Sequence, residues 1–215
     1  MHRLFIMAIL MLLLSPEGVI CNDPVVKTDN RINTTEEILE RIKRSSAKIV
    51  TLEGDFIQKK QVKLLTNMPD SHGKFYYKSP DCLRWEILDP VTMGFIVNGN
   101  KVKKWRGKSS KTKRINVKRE PIIGIISNQV FAWAKGDFET LKSGYNISIL
   151  NDDPIEVKLD PLSKIEKEHI GCIKLTFSET EDYVNRIEIY ETRGDSTQII
   201  FTNMMVNTQL QEGIF

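Results

Sequence analysis

The sequence predicts a mainly β protein of the α+β class: a long antiparallel sheet interrupted by a central helical insert. Two stretches in which apolar and polar residues alternate, about 50–116 and about 145–203, carry the β part of that expectation. Between them the alternation stops at Pro121 and gives way to a dense apolar segment. No low-complexity linker divides the 215 residues, so residues 22–215 are expected to form a single domain.

The N-terminus reads as a targeting segment. Arg3 supplies a positive charge ahead of the apolar run Leu4 to Leu14, and Ser15-Pro16-Glu17-Gly18 then breaks it. Such a run falls short of the ~20 residues a spanning helix needs and has the length of a signal-peptide core. Residues 1–21 are therefore expected to be a signal peptide cleaved after Cys21, with the mature chain starting near Asn22. Two alternatives stay open. Cys21 could be the acylated cysteine of a lipoprotein, although Ile20 is bulkier than the small residue normally found before one. The segment could also stay as an uncleaved anchor. No later run approaches the length of a membrane span, so the mature chain is expected to be soluble. Cleavage would leave Cys82 and Cys172, either bonded to each other in an oxidising compartment or held as buried thiols.

The first element is a helix. Thr34 and Glu37 have capping-box spacing, so hydroxyl and carboxylate can each satisfy a backbone N–H at the helix start. Ile38, Leu39, Ile42 and Ile49 follow at near-helical intervals, with Glu40, Arg41, Lys43 and Arg44 pointing elsewhere. The period then changes to two. Phe75 and Tyr77 alternate with Lys74, Tyr76 and Lys78, and Leu83, Trp85 and Ile87 alternate with Cys82, Arg84 and Glu86. Turn residues punctuate these strands at 68–73, 79–81, 89–90, 98–100 and 107, as in an antiparallel meander. Asn98-Gly99 is the sharpest hairpin signal, because both residue types tolerate positive φ.

Pro121-Ile122-Ile123-Gly124-Ile125-Ile126 and Val130-Phe131-Ala132-Trp133 predict a short helix or helix pair, with Pro121 where its missing N–H is tolerated. Residues 136–141 continue it as a turn or second helix. Alternation resumes in 145–149, 155–159, 173–177 and 184–189, and 197–203 closes the series.

The formal net charge of +3 is unevenly spread. Lys101, Lys103, Lys104, Arg106, Lys108, Lys111, Lys113, Arg114, Lys118 and Arg119 form one stretch without an acid. A basic outer face on a solvated hairpin explains it most simply; contact with a partner or an anionic headgroup is the alternative, and an exported protein rarely meets nucleic acid. Catalytic signals are missing. His72 sits in a turn, neither it nor His169 has ligands at metal spacing, and there is no nucleophile elbow, phosphate loop or dinucleotide fingerprint. No enzyme, cofactor or metal is expected. The apolar supply of sheet face, amphipathic helix and insert could close as a dry core, or leave a groove under a curved sheet.

The run Gly73-Lys74-Phe75-Tyr76-Tyr77-Lys78-Ser79-Pro80-Asp81-Cys82-Leu83-Arg84-Trp85-Glu86 resembles the hallmark of the LolA family of periplasmic outer-membrane lipoprotein carriers. Gly54-Asp55-Phe56-Ile57-Gln58 is similar to that family's Phe-x-Gln strand, and Pro90, Val97-Asn98-Gly99-Asn100-Lys101 and Trp105 to its next hairpin. Pro121-Ile122 falls where the family has its central lid. The resemblance covers roughly Thr35 to Asn203. It implies an incomplete antiparallel β-barrel of about eleven strands, with helices covering the open, concave side. It also implies a monomeric periplasmic carrier that takes lipoprotein acyl chains from an inner-membrane lipoprotein-releasing transporter to an outer-membrane acceptor. The family arginine that latches the lid corresponds to Ser79, so that latch is not carried over, and strand alternation turns Arg84 outward.

On this reading the lipid-binding cavity is expected to be lined from the sheet by Phe56, Phe75, Tyr77, Leu83, Trp85, Ile87 and Phe95. Ile122, Ile123, Ile126, Phe131 and Trp133 would line it from the insert. For each, the plain alternative is an ordinary core residue. A lipid- or peptide-sensing regulatory module on the same scaffold, or a carrier of glycolipid or another envelope lipid, would fit the same pattern.

Overall fold

A computed structural model describes residues 34–63, 68–107, 113–116 and 121–215; the side chains of 113–116, 121, 122 and 124–126 are not part of that description. The expected signal peptide, its cleavage or lipidation at Cys21, and much of the basic stretch lie outside the described residues.

Helix α1 (Thr35–Ser46) starts at the predicted capping box: Thr34 N–H donates to the Glu37 carboxylate at 2.7 Å, and Glu37 N–H donates to the Thr34 hydroxyl at 3.3 Å. Ile38, Leu39 and Ile42 are buried on its inner face. The helix ends before Ile49, which is buried but lies beyond the last turn, so the stripe is shorter than the spacing suggests.

Eleven strands among the described residues form one antiparallel sheet. The first meander is β1 (Thr51–Gln61), β2 (Ser71–Lys78), β3 (Cys82–Asp89), β4 (Met93–Asn98), β5 (Lys101–Arg106) and β6 (Lys113–Asn116). Helix α2 (Pro121–Lys135) and the short α3 (Phe138–Lys142) follow, and then the second meander begins. It comprises β7 (Tyr145–Asp152), β8 (Ile155–Pro161), β9 (Ile170–Phe177), β10 (Val184–Glu191) and β11 (Ser196–Val206), with the unpredicted single turn α4 (Lys164–Lys167) between β8 and β9. The spatial order β6-β5-β4-β3-β2-β1-β11-β10-β9-β8-β7 joins the meanders along β1 and β11. The sheet does not close, and β6 and β7 are its edges.

Between β4 and β5 the two-residue loop is Gly99-Asn100, one place later than Asn98-Gly99, and only Gly99 of the three has a positive φ, +55°. The insert is one continuous helix that ends at Gly136. There φ is +59°, and Asp137 N–H closes back on Ala132 O at 2.8 Å, a glycine C-cap. A side chain at Gly136 would also crowd the Lys43 backbone of α1, its Cβ only 2.9 Å from that Cα. Asp137 then caps α3 by accepting from Thr140 N–H.

Cross-strand partners share a face, so the register fixes which side chains look inward. Phe75 and Tyr77 sit opposite Trp85 and Leu83, which sit opposite Phe95 and Val97. Arg84 and Glu86 face out and bond to each other at 2.8 Å, with the Arg84 guanidinium over Trp105. Lys104 pairs with Phe95 and so belongs to the inner side, whereas Lys103 pairs with Ile96 on the outer one. The basic stretch is therefore not confined to an outer face. Cys82 is a free thiol, so it is not bonded to Cys172.

At the end of β1 remote from Ser79, the inner face turns polar. Lys60, opposite Thr197, forms an ion pair with Glu191 at 3.3 Å, and both side chains are at most 9% exposed. Burial pushes the Glu191 carboxyl above its ordinary pKa, and Lys60 opposes that rise. An acid whose folded pKa is raised contributes stability below its unfolded pKa that is lost as pH climbs through the folded value; Lys60 limits that loss.

Lys60→Ala should therefore cost about 3–5 kcal/mol at neutral pH. The loss should shrink as the solution is acidified, and the double change Lys60→Met with Glu191→Leu should recover most of it; urea melts across pH read all three. A methyl on Gly73 would strike the Phe56 ring and the Glu86 carbonyl. Gly73→Ala should lower stability by about 1–3 kcal/mol and weaken the near-ultraviolet circular dichroism of the Phe56–Trp85 pair.

Candidate functional site

The sheet curves so that its inward side chains form a floor, and the helices divide the work of covering it. Helix α1 is fastened over the second meander. Arg41 bonds to Asp152 at 2.8 Å and to Glu181, and Ser46 donates to Asp182 O at 2.8 Å. These carboxylates, Glu181 first, push the Arg41 guanidinium pKa upward. Beneath lie Val157, Leu159, Ile173 and Leu175, all fully buried, with Phe138 of α3 against Phe177.

Helix α2 covers the first meander and the seam, held by apolar contact and by Gln129, whose amide donates to the Tyr145 hydroxyl at 2.6 Å. Burial, more than the charge of Glu166, pushes Tyr145 up to about 12, so it stays a neutral partner for Gln129.

The floor under α2 is aromatic. Phe56 stacks on Trp85 with ring centroids 4.3 Å apart, and Phe201 stands edge-on to Phe75 at 4.9 Å and to Trp85 at 6.0 Å. From above, Phe131 approaches Tyr77 at 6.1 Å. Phe56, Phe75, Tyr77, Leu83, Trp85, Ile87, Phe95, Ile123 and Trp133 are buried in one cluster with Phe131 packed on it. The structure thus brings these ten sequence-selected residues together. The side chains of Ile122 and Ile126 lie outside the described residues.

Between floor and lid is an apolar cavity of about 40 Å³, bounded by Leu52, Phe75, Trp85, Val130, Trp133, Ala134, Tyr183, Val184, Ile187, Phe201 and Met204. That is little more than one water molecule's share of liquid volume, ~30 Å³. Sequence reasoning missed the β10–β11 wall of this cavity, although alternation had already marked Ile187 and Phe201 as strand residues. At the rim, a wider groove of about 530 Å³ runs between α2 and the strand turns, lined by Pro80, Asp81, Gly99 and Asn100 on one side and Ser127, Phe131 and Lys135 on the other.

Three buried polar atoms of the cluster have no hydrogen-bond partner: Tyr77 Oη, Trp85 Nε1 and Trp133 Nε1. Burial pushes the Tyr77 hydroxyl pKa up; Ser79 eases that rise by proximity, without reaching hydrogen-bond geometry. Ser79, at the turn, donates its backbone N–H to Val50 O at 2.8 Å. Among the described residues no three His, Cys, Asp or Glu side chains gather as a metal site requires, and no helix is long and apolar enough to cross a membrane.

No curated protein matches the chain. Solved structures of similar shape include MucB in the Pseudomonas aeruginosa MucA/MucB complex, at 13% identity and TM-score 0.47, covering 82% of this chain and 58% of that one. This chain therefore spans less than two thirds of MucB. A LolA superfamily protein from Nitrosomonas europaea gives 12% identity and TM-score 0.40, with 82% and 95% covered, and LprF from Mycobacterium bovis gives 11% and 0.44, with 82% and 94% covered. The family model for the outer membrane lipoprotein carrier protein LolA matches residues 47–215. With an open antiparallel sheet, a helical lid and that match over most of its length, the chain belongs to the LolA family.

Proposed function

We propose that this protein is a non-enzymatic carrier in the periplasm, which shelters the acyl chains of a lipoprotein or related envelope lipid between the concave sheet and α2. The reading is carried by a lid of apolar side chains seated on an aromatic floor with a small apolar cavity between them. Family membership supports the same ligand class. By the same reasoning the donor would be an inner-membrane lipoprotein-releasing transporter and the recipient an outer-membrane acceptor.

A cavity of about 40 Å³ cannot hold a long acyl chain. On this reading α2 must lift, and cargo competes with the lid for one surface. A long chain gains on the order of 10 kcal/mol gross, at about 0.8 kcal/mol per methylene. Re-exposing lid side chains such as Ile123 and Trp133 costs about 1.5–3 kcal/mol each. The lid thereby reduces net affinity to a level at which cargo can be handed on. The asymmetry of the cover supports α2 as the moving part, since α1 is tied down by Arg41 and Ser46.

Lipid extraction and mass spectrometry of protein taken from its native compartment should reveal acyl-bearing cargo. Ile123→Glu should leave the β-sheet circular dichroism intact and reduce binding of a fluorescent long-chain acyl probe at least tenfold. A folded Ile123→Glu protein that binds as well as the parent, or a parent that binds no acyl probe, would overturn the proposal.

A further inference from the structure

Trp85 rises from β3 and Trp133 descends from α2, each 6% exposed, and both border the cavity described above. Buried indole N–H groups usually find an acceptor, and each exception calls for an explanation. Neither of these finds one: the cavity between them is lined by hydrocarbon apart from Tyr183, whose hydroxyl bonds neither indole. Ala134 and Val130 on the lid, and Phe75, Phe201 and Met204 on the floor, have no side-chain acceptor to give apart from the weak thioether sulfur. A purely structural core would be better served by phenylalanine at both positions, since an unpaired buried donor carries its full desolvation cost. Tyr77, 1% exposed and nearer the rim, adds a third donor in the same state.

We propose that Trp85 and Trp133 donate their indole N–H groups to the carbonyl oxygens of an acyl ester, so that the site reads the start of an acyl chain as well as its hydrocarbon. This rests on the carrier reading above and names the ligand chemistry of that site. One donor stands on the fixed sheet and the other on the lid. An ester between them bridges the two in a way that a hydrocarbon cannot. Lifting α2 exposes both donors, and cargo with acceptors at that depth re-covers them paired. Bare hydrocarbon re-covers them unpaired. The wider polar groove at Pro80, Asp81, Gly99 and Asn100 leaves room at the rim for whatever headgroup the ester carries.

The test is competition of two short soluble lipids, dioctanoylglycerol and its ether counterpart dioctylglycerol, against the fluorescent acyl probe on the purified protein. The ester should bind at least about tenfold more tightly than the ether, the worth of two modest net hydrogen bonds. Trp85→Phe and Trp133→Phe should each shrink the ester-to-ether affinity ratio and the double variant should bring it to about one, whatever happens to the absolute affinities. Indole proton–nitrogen spectra give a second readout. The Trp85 and Trp133 N–H protons should move downfield with ester and not with ether, while Trp105 on the outer face stays put. Equal binding of ester and ether, or a preference that survives the double variant, would overturn the proposal and leave the carrier reading intact. Failure of both lipids to displace the probe would overturn this proposal alone, and failure of the probe itself to bind would overturn both.

Discussion

An open, curved sheet with one apolar side cannot cover itself, and everything else in this molecule answers that constraint. A closed barrel would pack its inward side chains against one another. Here the two edges, β6 and β7, stay apart, and the chain that joins them crosses the concave side as α2 and α3. The connection between the meanders is therefore also their cover. Because the edges need not meet, the spacing between sheet and cover is set by side chains and not by backbone hydrogen bonds. Helices resting on aliphatic and aromatic tips can move without breaking a ladder, which is the physical opening for a binding function.

The two halves of the cover are built to different standards. Over β7–β10, α1 has ion pairs at its middle, a serine bond at its end and fully buried aliphatic residues beneath it. Over β1–β4 and the seam, α2 rests on aromatic rings and is held by the side-chain bond of Gln129 to Tyr145. The cavity and the unpaired indoles both lie on that second side. Packing quality and polar satisfaction fail together at one place. Among the described residues, three of the five buried side-chain polar atoms without a partner lie there, the other two being His169 Nδ1 and Arg193 Nη1.

Much of this could be read from residue order, and the failures have local causes. Strict alternation in β2 and β3 placed Phe75, Tyr77, Leu83, Trp85 and Ile87 inward, because a strand with one buried face leaves no freedom of register. The β11 wall was harder. Phe201 and Met204 both border the cavity though they are three residues apart, which period-two reasoning forbids. The reason is a bulge. Asn203 adopts φ +52°, its side chain donates to Asp55, and the register slips opposite Gly54 so that Met204 returns to the inner face. Gly54 has no side chain to contest the space, and a Cβ there would lie 2.7 Å from the Met204 sulfur. Whether the interior would be filled was beyond residue order altogether. Composition supplies apolar volume, whereas a void depends on how far a helix stands from a floor.

The ends of the concave side differ in chemistry, and that difference gives the site a direction. Along β1 the inward positions run Leu52, Phe56, Gln58 and Lys60, from apolar to charged. At the far end Lys60, Glu191 and Thr197 are buried together, so hydrocarbon advancing that way would have to displace a paired charge and leave its partner uncompensated. At the near end stand the strand turns, the groove beside Pro80 and the ring of Phe131 over Tyr77. On the carrier reading, an acyl chain entering there would meet rings and aliphatic groups as far as Phe56 and then reach the polar plug. On the same reading, the plug would set a depth limit for the hydrocarbon.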